Sequence, residues 1–164
     1  MDKHLSTIDT GLSPQEQQML QKEELALGHA LTETEKLPIY GMCFACGEHN
    51  PIGLHLHFFK IENGSMAFFT PKHEHQSYND RMHGGLISTL LDEVMGNYLF
   101  MKEGKAAYTA RLEIRFRQPI LIGTPIKIIG KEGRRKGRLV IMEGTIYDAD
   151  GQILTEATAH MMLE

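Results

Sequence analysis

Hydrophobic and polar positions change period along the chain, and each change predicts a different element. Leu86, Ile87, Leu90, Leu91, Val94, Met95 and Tyr98 recur at helical spacing. They form one apolar face about half the circumference wide, the mark of a helix packed on a sheet. The spacing predicts a helix over about 83–101, ended by Gly104. Asp92 falls just outside one border of its apolar face and Glu93 just outside the other, so each carboxylate stands half-desolvated.

Elsewhere the period is two. The segments 54–60 (LHLHFFK) and 65–70 (SMAFFT) flank Glu62-Asn63-Gly64, an Asn-Gly hairpin signal. After the helix, residues 107–120 alternate, with Tyr108, Ala110, Leu112, Ile114 and Phe116 on one face. Thr109, Arg111, Glu113, Arg115 and Arg117 fall on the other. Two further hairpins, through 133–137 and 148–151, make the last three strands an antiparallel meander. One helix covers only one face of such a sheet, leaving the other for water or a second subunit. The fold class expected is α+β, an antiparallel sheet wrapped around one long central helix.

Residues 1–40 read differently. Ser13-Pro14 with Glu16 is a capping box opening a helix, and Leu12, Met19, Leu20, Leu25 and Leu27 give it a modest apolar stripe. We read 1–40 as a helical arm laid on the main domain, 41–164, or on a partner subunit. One short acidic helix is poor material for a DNA-binding motif.

Composition narrows the classes. A chain of 164 residues with 41% hydrophobic and 23% charged residues suits one ordinary globular domain. Its net charge of −4 argues against a general nucleic-acid binder. No stretch approaches a membrane span of about 20 apolar residues, and the start lacks the order of a signal peptide. A cytoplasmic protein with no membrane partner is expected, with Cys43 and Cys46 reduced.

The chemistry concentrates at 75–100. Gly84-Gly85 opens the helix, and free N–H groups at a helix start make an oxyanion site. Asp92 is a base or nucleophile for chemistry on a carbonyl. Eight residues at about 1.5 Å each put Gly84 and Asp92 roughly 12 Å apart, too far for one carbonyl to touch both. Either Asp92 serves elsewhere, or the pair that acts together comes from two copies of the helix in a symmetric dimer.

Two other groups stand out. Cys43, Cys46 and His49 resemble the start of a zinc site, with His55 and His57 on one strand face, but no second ligand pair of the usual spacing follows. No metal is expected. Lys131, Arg134, Arg135, Lys136 and Arg138 form the most basic cluster, suited to phosphate, with Arg115 and Arg117 as rivals. Phe58, Phe68, Phe69 and Phe100 are candidates for an apolar tunnel.

Several linked motifs then point one way: CFACGEHNPIGLHLHF (43–58), His75-Gln76, His83-Gly84-Gly85 and Leu91-Asp92-Glu93. Over about 41–164 the chain resembles the hotdog-fold thioesterase superfamily, in the branch of the phenylacetate-pathway acyl-CoA thioesterases. The resemblance implies a homodimer, with dimers of dimers open, whose long helices lie side by side beneath a continuous sheet. It implies an acyl-CoA substrate and no cofactor beyond the coenzyme A that the substrate carries. Gly84 would donate its N–H to the thioester carbonyl, with His83 and Gly85 shaping the turn. Asp92 of the partner subunit would be nucleophile or general base, and Thr109 matches a hydroxyl that orients water or the carboxylate. Its alternation, however, puts Thr109 among arginines. Gln76, Ser77 and Asn79 are candidates for the amide or hydroxyl that helps bind the carbonyl, and Arg134 and Arg135 for the phosphates. Asp80 stands where the branch has glycine and must adopt that turn geometry. An acyl-CoA sensor on the same fold is the alternative function, and an acyl-CoA hydratase the third.

Overall fold

The computed structural model describes residues 11–164; the first ten residues of the expected arm lie outside the described residues. Two helices and six strands follow in chain order: α1 (Pro14–Leu27), β1 (Phe58–Ile61), β2 (Gly64–Phe69), α2 (Gly84–Glu103), β3 (Ala107–Phe116), β4 (Ile126–Lys136), β5 (Leu139–Tyr147) and β6 (Ile153–Leu163). The strands form one antiparallel sheet in the order β1-β2-β4-β5-β6-β3. The expected fold class holds: the sheet curls around α2.

α2 buries Ile87, Leu90, Leu91, Val94, Met95 and Leu99 against the inner face. Leu86 and Tyr98, at the ends of the expected stripe, are only half-buried. Gly130 and Gly144 face each other across β4 and β5 and let the helix sit close. A Cβ at Gly130 would stand 3.1 Å from the Met95 backbone nitrogen, and one at Gly144 would stand 3.0 Å from Leu91 Cδ2. Gly104 ends α2 in the left-handed conformation, donating its N–H to the Phe100 carbonyl.

The arm lies on the same molecule. Ser13 and Glu16 form the expected capping box at α1. Leu12 and Leu20 are buried with Phe59, Met66 and Phe68 on the outer face of the sheet, whereas Leu25 and Leu27 are exposed. Glu16 also accepts from Thr70 Oγ1 at 2.7 Å, and Glu23 pairs with Lys127 of β4. β2 is therefore buried on both faces, by α2 inside and by α1 outside.

Three expectations need correction. The first strand begins at Phe58 rather than Leu54, because His55 takes a positive φ and the N–H groups of Leu54 and Leu56 bond to the Phe44 and Ala45 carbonyls. His55 and His57 therefore share no strand face. The hairpin expected across 133–137 is tighter: β4 runs on to Lys136 and the turn is Gly137-Arg138, with Gly137 at φ +59°. Strand β3 ends at Phe116, where Arg117 and Gln118 both donate to the Leu154 carbonyl.

Candidate active site

The start of α2 is built by backbone bonds. His83 N–H donates to the His75 carbonyl and Met82 N–H to the Ile120 carbonyl, both at 2.8 Å. Asp80 takes φ +59°, the conformation that its position demands. Its N–H donates to Gln76 Oε1 at 3.0 Å, which leaves the Gln76 amide NH₂ as a donor beside the turn. Ser77 and Asn79 lie exposed in the same turn.

A helix start carries four N–H groups with no partner inside the helix. Here His83 Nδ1 accepts from Gly85 at 2.9 Å, and the His83 carbonyl accepts from Leu86 and Ile87. Only the Gly84 N–H is left without a partner among the described residues. His83 is thus the cap that selects one amide. The nearest atom to a Cβ at Gly84 would be Phe116 Cζ, at 3.6 Å, so packing within one chain leaves this amide open to approach.

Asp92 stands two turns further along α2, half-buried, and Thr109 Oγ1 donates to its Oδ1 at 2.6 Å. Strict alternation would turn Thr109 away. A β-bulge reverses this: Thr109 pairs with Met161 and Arg111 with His160, so Ala110 is an extra residue. Before the bulge the inward face carries Ala107 and Thr109; after it, Leu112 and Ile114 take that face, and Tyr108 falls on the outer one. The sequence reading that grouped Tyr108 and Ala110 with Leu112 is corrected by one inserted residue.

A cavity of about 320 Å³ opens between α2 and residues 34–49, at the lower end of the range for small-molecule sites. Asp92 and Thr109 lie on its wall with Phe58, Asn97, Phe100 and Met161. Gly84 is not part of that wall. Of the four phenylalanines considered for a tunnel, Phe58 and Phe100 line the cavity, Phe69 lies in the inner core and Phe68 lies beneath α1.

Glu93, on the opposite border of the helix face, meets the Cys43-Cys46 turn: Cys43 Sγ lies 3.5 Å from Glu93 Oε1. Burial, and then Glu93, push the Cys46 thiol far above its ordinary pKa. His57 pairs instead with Glu33 at 2.6 Å. The helix-borne partner of the cysteines, fifty residues away in sequence, had no signal in the spacing of cysteines and histidines.

The basic cluster lies at the other end of α2. Arg135 donates to Glu103 at 2.6 Å and to Glu132 at 3.0 Å, and Lys102 and Tyr98 also bond Glu132. Arg134 is exposed and has no such partner among the described residues. Arg117 pairs with Glu156. The turn residues 76–79 and Gly84 thus gather at one end of α2, Asp92 and Thr109 at its middle, and the arginines at its far end.

Residues 79–155 match the model of the thioesterase superfamily. Mouse acyl-coenzyme A thioesterase THEM4 is 31% identical over 101 residues, 61% of this chain and 43% of that protein. A Schizosaccharomyces pombe protein described as uncharacterised is 28% identical over 106 residues, 63% of this chain and 61% of its own length. The chain thus covers less than two thirds of both relatives. Among solved structures, a thioesterase superfamily protein superposes with a TM-score of 0.69 at 24% identity, over 96% of this chain and 82% of its own. A Streptococcus mutans protein, solved bound to acetyl-CoA, does so with a TM-score of 0.61 at 21% identity, over 66% of this chain and 88% of that one. Both likenesses establish the fold. Among the described residues no helix is long and apolar enough to cross a membrane.

Proposed function

We propose, from the match of residues 79–155 to the thioesterase superfamily model and the geometry of α2, that the protein is an acyl-CoA thioesterase working as a homodimer. The observation that carries the reading is the division of labour along α2. One unpaired amide, at Gly84, stands about 12 Å from a carboxylate held by a hydroxyl. That distance is too long within one chain, and two helices side by side in opposite directions remove it by bringing Gly84 of one protomer to Asp92 of the partner subunit. The free edge of β3, with Tyr108 and Phe116 exposed, supplies a surface for such pairing.

In the proposed reaction the Gly84 N–H, reinforced by the α2 dipole, polarises the thioester carbonyl. Asp92 either removes a proton from water, which attacks the carbonyl carbon, or attacks that carbon itself and is later hydrolysed. In both routes the C–S bond breaks, the thiolate takes up a proton as free coenzyme A, and the acyl group leaves as a carboxylic acid. Thr109 holds Oδ1 so that Oδ2 is presented, and Gln76 offers a second donor near the turn. Arg134 is the available phosphate contact, since Arg135 is engaged by Glu103 and Glu132. A thioester is already activated, so this chemistry uses no cofactor. Support for an acyl-CoA substrate comes from the mouse relative's name and the acetyl-CoA on the S. mutans protein. The 43–58 motif favours the phenylacetate-pathway branch.

The test is hydrolysis of a panel of aliphatic and aromatic acyl-CoA esters by the parent and by Asp92→Asn. Loss of about a hundredfold or more in kcat, with fold and dimer intact, supports the reading. Equal rates would sink it, and saturable binding of acyl-CoA without hydrolysis by the parent would move the protein to the sensor class.

A further inference from the structure

We propose that Cys43, Cys46 and Glu93 form a binding site for one soft divalent cation of the zinc class, which ties the 41–47 turn to α2. The proposal is independent of the hydrolase reading, and the ion has no part in the reaction written above.

Three observations carry it. The ligand atoms of the three side chains lie within 4.8 Å of one another, all on half-buried residues facing the cavity. The distance from Cys43 Sγ to Glu93 Oε1 is 3.5 Å. Two ligands of one tetrahedral zinc, with Zn–S near 2.3 Å and Zn–O near 2.1 Å, stand about 3.6 Å apart. The pair is therefore already at ligand spacing.

The turn itself is built to converge the sulfurs. Gly47 N–H donates to the Cys43 carbonyl at 2.9 Å, and a Cβ at Gly47 would stand 2.3 Å from the Gly41 carbonyl oxygen and 2.6 Å from the Cys43 nitrogen. Only glycine closes the turn this tightly, which explains the glycine directly after Cys46. Charge completes the case. Glu93 has no ion pair among the described residues and accepts from the Cys43 thiol, so a carboxylate and two thiols converge on one half-buried wall. Two thiolates select zinc or cobalt over magnesium or calcium, and a water would complete a tetrahedral set. On binding, both thiols release their protons. Sequence spacing shows no site because its third ligand comes from the helix, one residue beyond Asp92.

The test uses the full chain, reduced, stripped of metal and checked for fold by circular dichroism, then titrated with Co²⁺. We expect one equivalent bound, with a sulfur-to-cobalt charge-transfer band and the visible bands of a tetrahedral ion. Cys43→Ser and Cys46→Ser each should reduce the charge-transfer intensity, and Glu93→Gln should keep the band while weakening affinity about tenfold or more. Zinc should displace cobalt stoichiometrically. Folded, reduced protein that takes up no cobalt, uptake without the charge-transfer band, or unchanged affinity in Glu93→Gln would each overturn the assignment.

Discussion

Replacing Thr109 by valine keeps the shape of the side chain and removes one donor, so it isolates what the hydroxyl does for Asp92. The bond is 2.6 Å long and runs to a carboxylate. Hydrogen bonds to charged groups contribute about 1.5–3 kcal/mol. Thr109 is exposed and Asp92 half-buried in the single chain, so water replaces part of that, leaving about 1–1.5 kcal/mol. If that stabilisation orients the reacting oxygen, kcat falls about five- to tenfold at roughly 1.4 kcal/mol per decade. KM stays near the parent value, since the hydroxyl touches the carboxylate rather than the acyl group. Valine and threonine both favour strands, so β3 persists and Tm falls by no more than the few degrees the lost bond accounts for. Thr109→Ser, which restores the donor, should recover most of the rate. Loss of thioester absorbance is the assay of choice, because Cys43 and Cys46 are free thiols that would consume a thiol-reactive dye. A parental kcat in Thr109→Val, or a Thr109→Ser variant as slow as it, would refute a positioning role.

Further outcomes follow from packing and charge. Gly130→Ala should cost about 1–3 kcal/mol in a denaturant titration, because its methyl group would press the Met95 backbone at 3.1 Å. Thr155 is fully buried and its hydroxyl has no partner among the described residues, so Thr155→Val should leave stability unchanged or raise it by about 1 kcal/mol. A lower Tm for Thr155→Val would reveal a partner for that hydroxyl. Burial works to raise the pKa of Glu132, but bonds from Lys102, Arg135 and Tyr98 hold it below its ordinary value. The stability this contributes is present above the unfolded carboxylate pKa of about 4.3 and is lost as pH falls through the lower folded value. Glu132→Gln should therefore melt earlier than the parent at pH 7, and the gap should close in acid.

Local signals carried most of the fold. The capping box at Ser13, the Asn63-Gly64 hairpin and the run from Leu86 to Gly104 each depend on neighbours within a turn or two, and the structure has them where the sequence puts them. Signals that span the chain were not legible. Alternation along β3 misplaces Thr109 because Ala110 is inserted opposite a strand that lies fifty residues later. The strand expected at Leu54 is lost to bonds with Phe44 and Ala45, which no pattern within 54–60 encodes. The resemblance names Gly84 as the donor, but the bond from the Gly85 N–H to the His83 ring is not legible in the spacing. Arg134 and Arg135 look alike in sequence, and only the carboxylates of Glu103 and Glu132 separate them.

The arm divides the outside of the sheet into two unlike territories. Over β1, β2 and β4 the outer surface is dry, sealed by Leu12 and Leu20 above Phe59, Met66 and Phe68. Over β5, β6 and β3 it is a wet strip of Glu113, Arg115, Glu143, Glu156 and Thr158. A shortened chain that starts after α1 would trade a closed outer skin for a sticky one, so self-association of such a fragment would report the missing cover and not the natural assembly. With α1 in place, back-to-back stacking of sheets meets a largely charged strip, where contacts are weakened by salt. The fourteen residues of α1 thus decide which part of the outer sheet is left to meet another molecule.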